Sequence, residues 1–262
     1  MKLWIAILTL ASLNAAPTLA AFKCSADSVM VGSFCLDRYE ATVWRIPDPL
    51  QSNKGLVKKL RKGKATIADL EEAGATRLGL TGDDYAPCGD HAESCVNDIY
   101  AVSLPNERPS AYSTWFQAQQ ACSNSGKRLP SNAEWQQAVV GTPDPGADDG
   151  TVDCNSTYQS AVVDPVPGGS RSGCVSSYGV ADMVGNLAEW VADWTPRATG
   201  CASWGGSADL QCLSGAATSG EPAALLRGGS FTNGANAGPL TTMGLSSPSL
   251  SGNDGIGFRC AR

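Results

Sequence analysis

The sequence predicts a loop-rich, disulfide-stapled, exported domain of short strands and helices, and three observations carry that prediction. There are ten cysteines among 262 residues; an even count in an exported chain reads as a disulfide framework, because an oxidising compartment preserves it. Glycine is abundant and charged residues make up only 17 %, which suits irregular backbone rather than a helical bundle. The first residues have the form of an export signal. Lys2 gives a positive start, the apolar run over 3–13 is too short to cross a bilayer, and Thr18, Ala20 and Ala21 are small residues suited to cleavage. A signal peptide over 1–20 and one mature domain over 21–262 are expected. Lys23 precedes Cys24, where a lipid anchor requires a small residue, so none is expected. No later stretch is apolar for long enough to span a membrane, and the protein is expected to be secreted, periplasmic or at the cell surface.

The elements follow in order. Residues 28–39 read as a strand or hairpin. Residues 45–100 read as an insertion that opens with a basic run, Lys54, Lys58, Lys59, Arg61, Lys62 and Lys64. That run reads first as the solvated face of a helix and second as a contact for an acidic partner. A short helix over 67–73 comes next, then a small acidic loop over 83–95. Ser110, after Pro109, is placed to cap a helix running to about 123 with Gly126 beyond it. In that helix Trp115, Ala118 and Cys122 fall on one face. Ser131 and Glu134 form a capping box opening a second helix with Trp135, Ala138 and Val139 inward. Residues 141–178 are turn-rich, 178–194 are apolar, and 228–255 are mostly Gly, Ser, Thr, Asn and small apolar residues. Neither a repeat nor an interdomain linker interrupts the chain.

Spacing alone leaves the cysteine pairing open. Local proximity suggests Cys24–Cys35, Cys88–Cys95, Cys154–Cys174 and Cys201–Cys212. That leaves Cys122 with Cys260, a bridge from the chain end to its middle worth about 4–5 kcal/mol in the chain-entropy account. A metal site built on the cysteines is disfavoured, since there is no CxxC pair and only one histidine. The net charge of −6 argues against nucleic acid as a partner.

Four segments in order resemble the sulfatase-modifying-factor family of the formylglycine-generating enzymes. They are Phe34 to Glu40 (FCLDRYE), Gly126 to Trp135 (GKRLPSNAEW), Tyr178 to Trp190 (YGVADMVGNLAEW), and the pair LRGGSF at 226–231 with GFRC at 257–260. The resemblance implies an α+β, C-type-lectin-like fold, and a Cys122–Cys260 bridge also resembles a disulfide of that family. The motifs read first as fold determinants. Leu129 and Pro130 enter a helix, Gly228 and Gly229 let the backbone pass close to a neighbour, and Arg259 is placed for a hydrogen-bonded ion pair.

The chemistry that the family implies meets this chain at specific positions. Formylglycine generation uses two thiols that bind copper(I), an ion suited to soft ligands; the corresponding positions here are Asn233 and Gly238. Non-haem-iron relatives need clustered histidines, and this chain has only His91. Neither copper nor iron is expected, and the expected function is non-catalytic. The alternatives are an oxidoreductase with an unrecognised site and a structural envelope protein. The resemblance also implies a structural calcium held by the carboxylates of Asp182 and Glu189 and the carbonyls of Gly185 and Leu187. The other reading of those two acids is hydrogen bonding within the turn.

The C-terminal segment, 226–262, also resembles the variable proteins of diversity-generating retroelements, in which this stretch is displayed for ligand binding. The resemblance places candidate contacts for a protein or glycan ligand at Phe231, Thr232, Asn233, Asn236, Leu240, Thr241, Met243, Leu245, Ser249, Asn253 and Asp254. Phe231, Leu240, Met243 and Leu245 are the apolar anchors of that reading, and the Asn, Thr and Ser side chains its adaptable hydrogen-bonding groups.

Overall fold

A computed structural model describes residues 23–82, 84–144, 148–157 and 164–262; the expected signal peptide lies outside them. The chain opens with an antiparallel hairpin of β1 (Ser28–Val31) and β2 (Phe34–Asp37), tied by the Cys24–Cys35 disulfide. Next, β3 (Ala41–Arg45) lies at the centre of a three-stranded antiparallel sheet between β4 (Thr76–Leu78) and β5 (Ile99–Ser103). The excursion from β3 to β5 carries α1 (Lys54–Arg61) and α2 (Ile67–Glu72). The basic run is therefore helical over Lys54–Arg61, with Lys62 at the C-cap. Its apolar positions Leu56, Val57 and Leu60 pack with Trp44, Ile46, Leu70 and Tyr100, which leaves the lysines outward. Thr66 and Asp69 close a capping box on α2.

Helix α3 (Trp115–Asn124) starts at a different cap from the one read in the sequence. Thr114 accepts the Gln117 N–H while the Gln117 side chain accepts the Thr114 N–H, so one reciprocal pair satisfies two orphan donors. Ser110 instead crosslinks the three-stranded sheet, its hydroxyl accepting from Val43 N–H (2.8 Å) and donating to Leu78 O (2.6 Å). Helix α4 (Asn132–Ala138) begins at the Ser131–Glu134 box, and Glu134 also takes Arg128 through two 2.6 Å bonds.

The remaining strands make one mixed sheet. They are β6 (Ala188–Thr195), β7 (Gly200–Ser203), β8 (Leu210–Ser214), β9 (Ala223–Arg227), β10 (Thr242–Met243) and β11 (Ile256–Phe258). Their order is β11-β6-β9-β10-β8-β7, with β11 parallel to β6, β10 parallel to β8, and the other pairs antiparallel. Strands and helices are segregated rather than alternating, which makes the domain α+β. The main core joins Trp190, Leu226 and Phe258 of this sheet to Val43, Ile99 and the inner face of α3. A second cluster packs Trp135 of α4 on Val31, Leu36, Met183 and Val184. Five disulfides cross the fold: Cys24–Cys35, Cys88–Cys95, Cys122–Cys260, Cys154–Cys174 and Cys201–Cys212. The third joins α3 to the residue two past β11 through fully buried sulfurs.

Candidate functional site

Two anchors frame the C-terminal segment. At its start, Gly228 and Gly229 both have positive φ, +81° and +75°, and a Cβ on them would lie 2.6 Å from Met183 O and 2.8 Å from Ala237 Cα. Only glycine fits that approach. At its end, Arg259 is fully buried. It binds both oxygens of Glu189 (2.6, 2.8 and 2.9 Å) and donates to the carbonyls of Asp37, Arg38, Ala181 and Asp182. Glu189 also accepts the indole N–H of Trp135 at 2.7 Å.

Arg259 holds a crowded acid cluster. Glu40 accepts Leu187 N–H at 2.9 Å and the Asn186 amide; Asp182 accepts Gly169 N–H at 2.6 Å. Burial, reinforced by Asp182 and Glu189, pushes the Glu40 carboxyl well above the usual range. Burial likewise pushes Asp182 up to about 6, although the Gly169 N–H and Arg259 favour its charged form.

Between the anchors lies a cavity of about 180 Å3. Its walls are Ala188, Leu226, Met243 and Ile256 from four strands, and its polar lining is Ser230, Thr232, Asn233, Ser246 and Asn253, with Gly255 completing it. No charged side chain lines it. Each asparagine is oriented by its own turn. Asn233 Oδ1 accepts the Ser230 N–H (2.7 Å) and hydroxyl (3.1 Å), and Asn253 Oδ1 accepts Gly255 N–H (2.9 Å). Both side-chain amide N–H2 groups are left as donors without a partner among the described residues. The cavity thus offers hydrogen-bond donors in a neutral setting.

Of the eleven candidate contacts, Thr232, Asn233, Met243 and Asn253 line this cavity. Phe231 does not serve as an exposed anchor. It is 2 % exposed, drawn inward by the glycine pair and by its N–H bond to Asn186 O (2.9 Å). Thr241 is fully buried, donating to Asn236 O at 2.6 Å and accepting from Leu210 N–H. Leu240 and Leu245 are 40 % and 39 % exposed, outside the cavity lining. Asn236 ends a 3-10 turn over Gly234–Asn236, Ser249 donates to Glu221 at 2.6 Å, and Asp254 is exposed. The sequence reading missed Ser230, taken as part of a fold motif, and Ser246, which nothing distinguishes from the neighbouring serines. Ala188, Leu226 and Ile256 meet only through strand pairing.

Two chemical expectations meet the geometry here. All ten cysteines are in disulfides, so the residues at the copper positions, Asn233 and Gly238, have no thiol to recruit nearby. Of the four residues expected to hold calcium, Glu189 is already engaged. Both Glu189 oxygens are taken by a guanidinium, whose charge would repel a dication at the same spot. Among the described residues no group of three or more His, Cys, Asp and Glu side chains is placed to hold a metal. In this structure Arg259 supplies the positive charge at this turn.

Comparison with known proteins gives three similarities. Over 121 residues the chain is 26 % identical to hercynine oxygenase of Mycobacterium tuberculosis, covering 44 % of this chain and 28 % of that protein. Among solved structures it is similar to the Major Tropism Determinant M1 variant, with TM-score 0.47 and 20 % identity. It is also similar to the P3c variant, with TM-score 0.45 and 17 % identity. In both cases the match covers 90 % of this chain and 52 % of the other, so the chain spans about half the length of those proteins. Residues 26–262 match the sulfatase-modifying factor enzyme 1-like domain, and with all four of its motifs inside that match the chain belongs to this family.

Proposed function

We propose that the protein is an exported, non-catalytic binding protein whose C-terminal segment holds a neutral, hydrogen-bond-accepting group of its ligand. The observation that carries this reading is the cavity between the glycine pair and Arg259. It is uncharged and edged by hydroxyl and amide side chains, and it contains Asn233 where the family's copper chemistry needs a thiol. Five disulfides support an oxidising compartment. They also keep the lining rigid, so little ordering entropy is lost on binding. Amide and hydroxyl donors suit the carbonyl of an amide side chain or the acetamido and hydroxyl groups of a glycan. His91 adds no metal or triad chemistry: it lies on the exposed Cys88–Cys95 loop with its ring 5.4 Å from Phe116.

The test uses variants that keep each turn and invert the donor. Asn233→Asp and Asn253→Asp retain an acceptor for the local backbone but place a carboxylate oxygen where the N–H2 was. Binding of N-acetylated amino sugars and of N-acetyl amino-acid amides is measured by calorimetry on wild type and double variant. Binding lost with the melting temperature unchanged supports the site. Binding undiminished in the double variant sinks it, and stoichiometric copper or iron in the purified protein would favour the oxidoreductase instead.

A further inference from the structure

We propose that the outer face of α1 is a docking surface for an anionic lipid membrane, separate from the C-terminal cavity. In a chain of net charge −6, six basic residues fall within 54–64 and no acidic residue lies between Asp48 and Asp69. Lys54, Lys58 and Lys62 recur every four residues, which stacks them on one face of the helix and its cap. Together with Arg61 they surround a groove of about 250 Å3 whose apolar lining is Pro49, Leu50 and Val57.

The acids closest in sequence are occupied elsewhere. Asp48 accepts the Ser52 hydroxyl and N–H, and Asp69 pairs with Lys59 (2.6 Å). Arg61 is partly committed, donating to Asn124 O at 3.0 Å. Lys54, Lys58 and Lys62 have no acidic partner among the described residues.

The choice of a lipid surface over an acidic polymer rests on Leu50. It is 65 % exposed at the mouth of this basic groove. Its neighbour Pro49 and the lysine stems continue the apolar lining. A leucine projecting among cations matches a layer with charged headgroups above hydrocarbon; a soluble polyanion has no use for it. The apolar side of α1 is committed to the core, so contact is made by Leu50 and the lysines rather than by burying the helix. Each lysine close to an anionic surface contributes about a fivefold factor to partition, weakened by salt.

The experiment is co-sedimentation of the oxidised protein with vesicles of phosphatidylcholine alone and of phosphatidylcholine mixed with phosphatidylglycerol. Binding is expected only to the mixed vesicles and is expected to fall with rising salt. Lys54→Glu/Lys58→Glu/Lys62→Glu is expected to lower partition by at least ~100-fold, and Leu50→Ser to lower it with the charge unchanged. These side chains are exposed, and an unaltered melting temperature confirms that the variants fold. Equal binding to both vesicle types overturns the proposal, as does binding that survives charge reversal. Capture by polyglutamate that is indifferent to Leu50→Ser, without vesicle binding, overturns it in favour of an acidic polymer. None of the substituted residues lines the C-terminal cavity, so failure here leaves the proposed function standing and the reverse also holds.

Discussion

Replacing Arg259 by methionine tests the claim that its guanidinium supplies the buried positive charge opposite Glu189. Methionine keeps most of the stem's volume and removes the charge. What remains is Glu189, 1 % exposed, with the Trp135 indole as its remaining side-chain donor among the described residues. Four backbone carbonyls also lose a donor, although the Arg38 carbonyl keeps the Ala181 N–H. Breaking a buried pair by deleting one partner costs about 3–5 kcal/mol, a large share of a typical total stability of about 5–15 kcal/mol. For a domain of this size that lowers the melting temperature by roughly 6–20 °C. The assay is urea unfolding of the oxidised protein followed by tryptophan fluorescence, since Trp135 and Trp190 are both fully buried and Trp135 bonds Glu189 directly. Arg259→Met/Glu189→Gln is expected to regain at least ~1 kcal/mol relative to Arg259→Met, because no unpaired charge remains and the glutamine oxygen still accepts from Trp135. A loss below ~1 kcal/mol for Arg259→Met, or a double variant no more stable than the single, would refute the reasoning.

The same cluster sets a pH dependence. Because Glu40 and Asp182 have raised carboxyls in the folded state, these two groups hold more protons in the folded protein than in the unfolded chain between about pH 4 and 6, and their contribution to stability falls as pH rises through that window. For Asp182, held at about 6 rather than 3.8, the loss is at most about 3 kcal/mol; Glu40→Gln is expected to flatten the profile in a melting series. Chelation with EDTA and addition of calcium are expected to leave the melting temperature unchanged, and a calcium-dependent rise would show that the ion finds ligands at the turn despite Arg259. Cys122→Ala/Cys260→Ala opens a bridge of sequence separation 138 and is expected to cost about 4–5 kcal/mol in urea unfolding. Thr114→Ala is expected to cost about 1 kcal/mol through the lost cap on α3, whereas the same cost at Ser110 would come from the strand contacts of its hydroxyl.

Local chemistry was legible in the sequence and convergence was not. The Ser131–Glu134 box needs only four consecutive residues, and it appears where the spacing put it. The start of α3 was misread because Ser110 and Thr114 are both plausible caps, and the decision rests on Gln117 three residues past the second. The place of Arg259 in an ion pair was readable, but the identity of its partner was not. Glu189 lies 70 residues away, and the same acid read equally well as a calcium ligand. The cavity was half legible: Asn233 and Asn253 stood out as polar residues in a loose segment, whereas Ala188, Leu226 and Ile256 become neighbours only when β11 pairs with β6 and β6 with β9. Phe231 shows the opposite error. Surrounded by glycine and serine it looked like an exposed anchor, and it is a core residue.

The division between frame and lining explains how one segment serves both stability and the proposed binding. The frame is set by Gly228, Gly229, Phe231, Thr241, Arg259 and Cys260, each buried or restricted in backbone, and all but Gly229, which packs on Ala237, tied to residues outside the segment. Thr232, Asn236, Leu240, Leu245 and Asp254 are exposed between those fixed points. Exposed substitutions usually change stability by no more than about 0.5 kcal/mol, so the contact face can vary in chemistry while the fold does not. Asn233 and Asn253 lie between the two classes. Their oxygens belong to the frame through the Ser230 and Gly255 N–H groups, and their N–H2 groups belong to the cavity. A replacement there that keeps the oxygen alters recognition alone, and one that removes it also loosens the turn.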